Sequence, residues 1–131
     1  YLIFEFWSKD FMGIFSEDFI PGEINSKYNC QLFCIREKQS VPQLISTNRH
    51  ISCGGLEIEK LAWEGKNLTG ISNMVAGDKY SIFIYEPHGY EFKNFTCEGV
   101  ELIENKIENN IRIITFSSEN KKTVIWNIHY Q

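Results

Sequence analysis

The sequence lacks the features that mark several large classes of protein. None of its apolar runs approaches the ~20 residues that a membrane-spanning helix needs. Its 13 basic residues are scattered, and its net charge is −4, so it has no basic surface stripe to bind nucleic acid. It also shows no amphipathic helical periodicity, internal repeat or low-complexity tract. We therefore expect neither a membrane nor a nucleic acid among its partners.

Motifs for catalysis and for cofactor or metal binding are missing as well. Gly54-Gly55 has neither the downstream lysine nor the helix that a phosphate-binding loop requires. The three histidines are too dispersed in the sequence to show metal-ligand spacing. Glu57 and Glu59 lie two apart on a predicted strand, which is typical of a solvated strand face rather than of a glycosidase carboxylate pair. We therefore predict no catalytic, cofactor-binding or metal-binding residue.

Cysteine is scarce, with four residues in the chain. Cys30 and Cys34 fall in one predicted strand, where four residues span about 13 Å. A disulfide tolerates a Cα separation of at most about 7 Å, so these two cannot bridge each other, and we predict that both are unbridged and face the core. A pairing of Cys53 with Cys97 stays open.

Apolar and aromatic residues are plentiful by contrast, at 43% and 15% of the chain. A chain of 131 residues buries roughly two-thirds of its unfolded surface, which is enough for one self-sufficient domain. Short β-rich segments separated by turn residues predict strands at 1–7, 11–15, 28–36, 56–63, 68–75, 80–85, 90–95, 100–104, 111–116 and 123–130. This pattern predicts an all-β domain over residues 1–131, an antiparallel two-sheet β-sandwich of Greek-key or jelly-roll type, with a barrel as the second choice.

Two strands have distinctive patterns. The run Tyr80–Tyr85 is continuously β-rich, as in a strand covered on both faces. In the last strand, apolar residues alternate with mostly polar ones, which predicts one buried and one wet face. The buried face is predicted to carry Val124, Trp126, Ile128 and Tyr130.

The stretch Pro42–Gly55 contains few strand-forming residues and is longer than the 4–6 residues of a typical loop. We predict that it crosses between sheets, with Ile45 and Ile51 anchored in the core. Arg49 and His50 are predicted to be held by local hydrogen bonds, and they are candidates for contacts at an interface. Candidates for stacking on a glycan are Trp63, Tyr85 and Tyr90, although aromatic residues of a sandwich more often fill its core.

Five segments occur in a fixed order that resembles a known family: Phe4–Gly13, Pro42–His50, Gly54-Gly55, Ala76–Tyr80 and Pro87–Tyr90. The chain resembles the C-terminal β-sandwich domain that follows the catalytic (β/α)8 barrel in large bacterial α-galactosidase-like glycoside hydrolases. The resemblance covers most of the first 95 residues.

In that family the nucleophile and the acid/base are aspartates on the barrel, and no position in this sequence matches a catalytic motif. The resemblance implies a non-catalytic accessory domain without a cofactor, whose partner is the barrel of the same polypeptide. Because the sequence starts directly as a strand at Tyr1, we expect a domain excised from a larger enzyme, itself periplasmic or secreted in a bacterium. The alternative is a carbohydrate-binding module that holds glycan through exposed aromatic side chains.

Overall fold

β-strands are the only regular elements in the part of the chain that the structure, a computed structural model, describes: residues 1–24 and 27–131. Within those residues, no helix is long and apolar enough to cross a membrane. The eleven strands of this part are β1 (Leu2–Glu5), β2 (Asp10–Ile14), β3 (Phe33–Arg36), β4 (Gln43–Thr47), β5 (Ile58–Glu64), β6 (Asn67–Met74), β7 (Tyr80–Tyr85), β8 (Phe92–Cys97), β9 (Glu101–Glu108), β10 (Ile111–Ser117) and β11 (Lys122–Tyr130).

The described strands form three antiparallel sheets. The first sheet has the order β2-β1-β3, the second β4-β7-β10-β9 and the third β5-β6-β11-β8. The second and third sheets pack face to face, and consecutive strands cross between them several times. The prediction of an all-β antiparallel sandwich is confirmed.

A large apolar core fills the space between the second and third sheets. β11 contributes the four side chains predicted for its buried face, Val124, Trp126, Ile128 and Tyr130, and that prediction is confirmed. β6 alternates between buried and half-buried positions, as expected of a strand with one face on the core. From β7, the side chains of Tyr80, Ile82 and Ile84 enter the same core.

A smaller core lies on the opposite face of the second sheet, under the first sheet. Leu2 and Phe4 of β1 pack there against Phe83 and Tyr85 of β7 and Ile45 of β4. β7 is therefore buried on both faces, as predicted. The sandwich consists of two packed sheets, as predicted, and a third sheet is present in addition, because β1 pairs with β2 and β3 instead of joining either sheet of the sandwich. Every residue of β1 is buried.

The stretch Pro42–Gly55 was wrongly predicted to contain no strand, because its first half is β4, buried at all five positions. Its polar side chains are buried together with their own partners. The Gln43 amide donates to the Glu37 carbonyl at 3.0 Å, and the Thr47 hydroxyl donates to the Glu57 carboxylate. Glu57 is thus buried, and the prediction of a solvated glutamate face is wrong for this residue. Polar groups can be buried at low cost when they are hydrogen-bonded. β4 therefore contains buried polar residues, and a search for apolar patterns does not detect it.

The predicted strand 28–36 is reduced to Phe33–Arg36. The chain turns before it, where Asn29 adopts a positive φ of 52°, a conformation that asparagine tolerates better than most residues. Cys30 is consequently exposed, so the prediction that it faces the core is wrong, whereas Cys34 is half-buried beside the smaller core. All four cysteines lie in the described part of the chain and all four are free, as predicted for Cys30 and Cys34.

Candidate functional site

The turn segment, residues 48–57, follows β4 and carries two of the candidate residues. Arg49 is tied to the connection between β6 and β7. One of its guanidinium nitrogens lies 3.0 Å from the Asp78 carboxylate, and another donates to the Asn73 carbonyl at 2.5 Å. The guanidinium also stacks over the Tyr80 ring, 4.3 Å from its centroid. These partners are distant in sequence, so the prediction of local hydrogen bonds is wrong for Arg49, which anchors the segment.

His50 is exposed and is held locally, as predicted. Its Nδ1 accepts the Ser52 N–H at 3.1 Å and lies 3.0 Å from the Ser52 hydroxyl. The chain reverses here, with the Cys53 N–H donating to the His50 carbonyl at 2.9 Å. This reversal turns Ile51 outward, 52% exposed, so the prediction that Ile51 is anchored is wrong. Leu56, 67% exposed, lies on the same series of turns, and we call His50, Ile51 and Leu56 the turn patch.

The base of the turn segment is rigid. Cys53 is buried with a positive φ of 54°, and Gly54 follows with a φ of 102°. A Cβ on Gly54 would lie 3.1 Å from a methyl carbon of Leu44 and 3.2 Å from one of Ile58. Arg36 of β3 donates to the Cys53 carbonyl at 2.8 Å. The turn patch therefore stands on a tightly packed support, which lowers the entropy that a partner would have to remove on binding.

The structure brings two of the aromatic candidates together at one end of the sandwich. Trp63 and Tyr90 are half-buried and meet edge to face, with ring centroids 5.4 Å apart. Both also contact the buried ring of Tyr130. A cleft of about 320 Å³ opens beside Trp63, with Leu61 and Pro42 in its wall. We call it the Trp63 cleft.

The remaining aromatic candidate and the polar groups of the cleft are less available. Tyr85 is only 5% exposed and packs against Phe11 in the smaller core, so its ring cannot stack on an external glycan. Within the cleft, Arg36 is engaged by the carbonyls of Ile45 and Cys53. The cleft therefore presents only part of the Trp63 indole ring to a ligand, and the Arg36 guanidinium in its wall is already hydrogen-bonded to the protein.

A buried charged group escaped the sequence reasoning. Glu86 and Arg112 form a bidentate ion pair with N–O distances of 2.5 and 3.1 Å, and the Tyr130 hydroxyl donates to the same carboxylate at 2.8 Å. Burial, followed by the neighbouring Glu86 charge, raises the pKa of Tyr130. Because each member has its partner, the group is suited to holding the two sheets together rather than to proton transfer. A lone arginine within an apolar strand, as in Ile111-Arg112-Ile113, is the signal that would have indicated it.

Neither a metal centre nor a comparison with known proteins identifies the function. In the part of the chain that the structure describes, no group of three or more histidine, cysteine, aspartate or glutamate side chains is arranged to hold a metal ion. No family model matches the sequence, and searches among curated proteins and solved structures find no match. The function therefore has to be argued from the turn patch and the Trp63 cleft.

Proposed function

We propose that the chain is a non-catalytic accessory β-sandwich domain of a galactosidase-type glycoside hydrolase, which docks against the catalytic (β/α)8 barrel of the same polypeptide and supports it. The observation that carries this proposal is the turn patch. It exposes two large aliphatic side chains, Ile51 and Leu56. It also lies within or next to two of the segments that carry the family resemblance, Pro42–His50 and Gly54-Gly55.

The physical case for docking is that the patch exposes two aliphatic side chains on a segment that is held in place by Arg49 and Gly54. Full burial of an aliphatic side chain of this size contributes about 1.5–3 kcal/mol, and Ile51 and Leu56 have about half or more of that surface still exposed. Arg49 and the Gly54 turn fix the segment before binding, so little additional order is required.

The first test is the coding sequence upstream of Tyr1. The proposal requires it to encode a (β/α)8 barrel with aspartates as the catalytic pair. An upstream sequence that encodes an unrelated domain would overturn the proposal. The isolated domain should also fail to hydrolyse aryl α- and β-galactosides, and turnover by highly purified protein would contradict the non-catalytic assignment.

The second test measures association between the domain and its separately expressed barrel. The double substitution Ile51→Asp with Leu56→Asp should weaken binding at least tenfold, which corresponds to about 1.4 kcal/mol. A matched control is Ile125→Asp, because Ile125 is 63% exposed but lies on β11 in the third sheet. If the control weakens binding as much as the double substitution does, or if neither changes it, the turn patch is not the docking surface.

The second candidate function is glycan binding, and the Trp63 cleft is the observation that favours it. Stacking of a sugar ring on Trp63 and Tyr90 would be detected by isothermal titration of the isolated domain with galactose-containing oligosaccharides. The docking proposal expects no heat of binding. Measurable binding that Trp63→Ala abolishes, without loss of the folded state, would replace docking by carbohydrate recognition.

A further inference from the structure

One edge of the second sheet is formed by β9. This strand is the last in the order β4-β7-β10-β9, and among the described residues it pairs with β10 alone. Seven of its eight residues are exposed, whereas β4, at the opposite edge, is buried at every position. An edge strand leaves a row of backbone N–H and C=O groups unpaired, and an additional strand can bind them. β9 is therefore open to pairing with another chain.

The side chains of β9 determine which chain can pair with it. Its exposed aliphatic residues are Leu102, Ile103 and Ile107. Charged side chains normally protect an edge strand, in part because like charges directly opposite each other are destabilising. On β9 the signs are mixed, because Lys106 lies between Glu104 and Glu108 and its ammonium contacts both carboxylates, at 3.3 and 3.1 Å. Attraction or repulsion of a second copy therefore depends on the register in which the two strands meet.

Three antiparallel registers set Lys106, the one cationic residue of β9, opposite a glutamate of a second copy. When it lies opposite Glu108, only residues 106–108 of the two strands overlap. When it lies opposite Glu101, the pair is centred beside Ile103, where the ladder between β9 and β10 is irregular. The first of these registers is too short to hold two strands together, and the second is centred on a distorted part of the strand.

The third register sets Lys106 opposite Glu104 and is centred on Asn105. Residues 102–108 of the two strands then overlap, which is more than in either alternative. The three central pairs lie in the part of β9 that pairs regularly with β10. No like charges lie opposite each other in this register, and the opposite-charge pair occurs twice, once on each side of the centre. The strand is thus complementary to itself.

We propose that two copies of this chain associate through β9, antiparallel and with Asn105 of one copy opposite Asn105 of the other. Such an interface is isologous, with a two-fold axis at its centre, and it joins the two second sheets into one continuous sheet of eight strands. It sets Ile103 of each copy opposite Ile107 of the other, which covers aliphatic surface that the single chain exposes. The turn patch follows β4, at the opposite edge of the sheet, so this association leaves it free.

Cysteine substitutions test the register, in the full chain with Cys30→Ser so that the exposed native thiol does not react. In the proposed pair, Asn105→Cys places two thiols directly opposite each other. Cα atoms at such positions are about 4.5–5.5 Å apart, within the range that a disulfide spans. Mild oxidation should link two copies at least tenfold faster in this variant than in Ile107→Cys, whose thiols are offset by four residues, or in Ile125→Cys on the third sheet. Equal rates in the three variants, or faster linking of Ile107→Cys, would overturn the proposal.

Charge reversal in the same background tests the attraction between the two copies, with analytical ultracentrifugation to measure the Kd of the dimer. Lys106→Glu sets like charges opposite each other and should raise the Kd at least tenfold. The exchange of both charges, Glu104→Lys with Lys106→Glu, restores both opposite-charge pairs and should recover most of the affinity. A parent protein that sediments as a monomer at roughly 1 mM, or a double exchange that associates no better than Lys106→Glu, would contradict the proposal. Should a charge variant fail to fold, the parent protein and the Asn105→Cys cross-link decide the matter.

Discussion

Gly70 is the position in the larger core with the least room for a side chain. It lies on β6 opposite Trp126 of β11, and a Cβ built on it would be 2.0 Å from Cζ2 of the indole ring. Carbon atoms in contact are normally about 3.5–4.0 Å apart, so the ring would have to retreat by about 1.5 Å or more. We therefore predict that Gly70→Ala displaces a fully buried tryptophan.

The size of the effect follows from what Trp126 loses. Overpacking of a core typically costs about 1–3 kcal/mol. The displaced indole also loses the hydrogen bond that it donates to the Ser72 hydroxyl at 2.8 Å, and an unpaired buried polar group costs about 1–3 kcal/mol. Together these effects predict a loss of about 2–6 kcal/mol, a large part of the 5–15 kcal/mol by which a domain is usually stable.

Urea unfolding followed by far-ultraviolet circular dichroism measures the loss. The same substitution made in a Trp126→Leu background should cost at least about 1 kcal/mol less, because the smaller side chain leaves space for the new methyl group. Gly22→Ala is the control, since a Cβ there would meet no atom within 4 Å, and it should change stability by less than about 0.5 kcal/mol. An equal cost of Gly70→Ala in both backgrounds would refute the steric reasoning.

Three further predictions concern charge and ionisation. Burial raises the pKa of Tyr80 and Tyr130 above the ordinary value of 10.0. The contribution of each protonated tyrosine to the free energy of unfolding is therefore fully present below pH 10. Above pH 10 this contribution falls by about 1.4 kcal/mol per pH unit for each tyrosine, because the unfolded chain ionises first. Urea midpoints from pH 8 to 11.5 should show this slope, and an unchanged slope in Tyr80→Phe would contradict it. Arg49→Ala should lower the free energy of unfolding by about 2 kcal/mol, whereas His50→Ala should change it by less than about 0.5 kcal/mol. If thermal unfolding shows equal losses for the two variants, Arg49 does not anchor the segment. Glu86→Gln should cost about 3–5 kcal/mol in urea unfolding, because it leaves a buried guanidinium without a counter-charge; a loss below about 1 kcal/mol would show that the ion pair is not needed.

The strands that could be predicted from sequence are those whose own side chains make the core. Tyr80–Tyr85 was predicted with its observed bounds, and the last two strands to within a residue at each end. In each of these strands, apolar side chains alternate or run continuously. The apolar positions in the sequence are therefore the positions that are buried in the structure. The sandwich follows from such strands without knowledge of their partners.

The elements that could not be predicted depend on partners distant in sequence. β4 is buried because Gln43 and Thr47 find hydrogen-bond partners outside their own strand, and no local pattern contains that information. The third sheet was not predicted because the pairing of β1 with β2 and β3 has no signal in the residues of β1 themselves. In the candidate site, the local partner of His50 was predictable, but Arg49 bonds to groups 24 and 29 residues away.

β7 separates two cores that differ in size, and this arrangement divides the molecule into unequal units of local unfolding. Detaching the first sheet would expose only the smaller core, while the larger one stays closed between the second and third sheets. Opening of this kind requires less free energy than complete unfolding. We therefore expect the amide hydrogens of β1 to exchange with solvent deuterium through a partial opening, well before those of β7, whose amides remain bonded on both sides to β4 and β10.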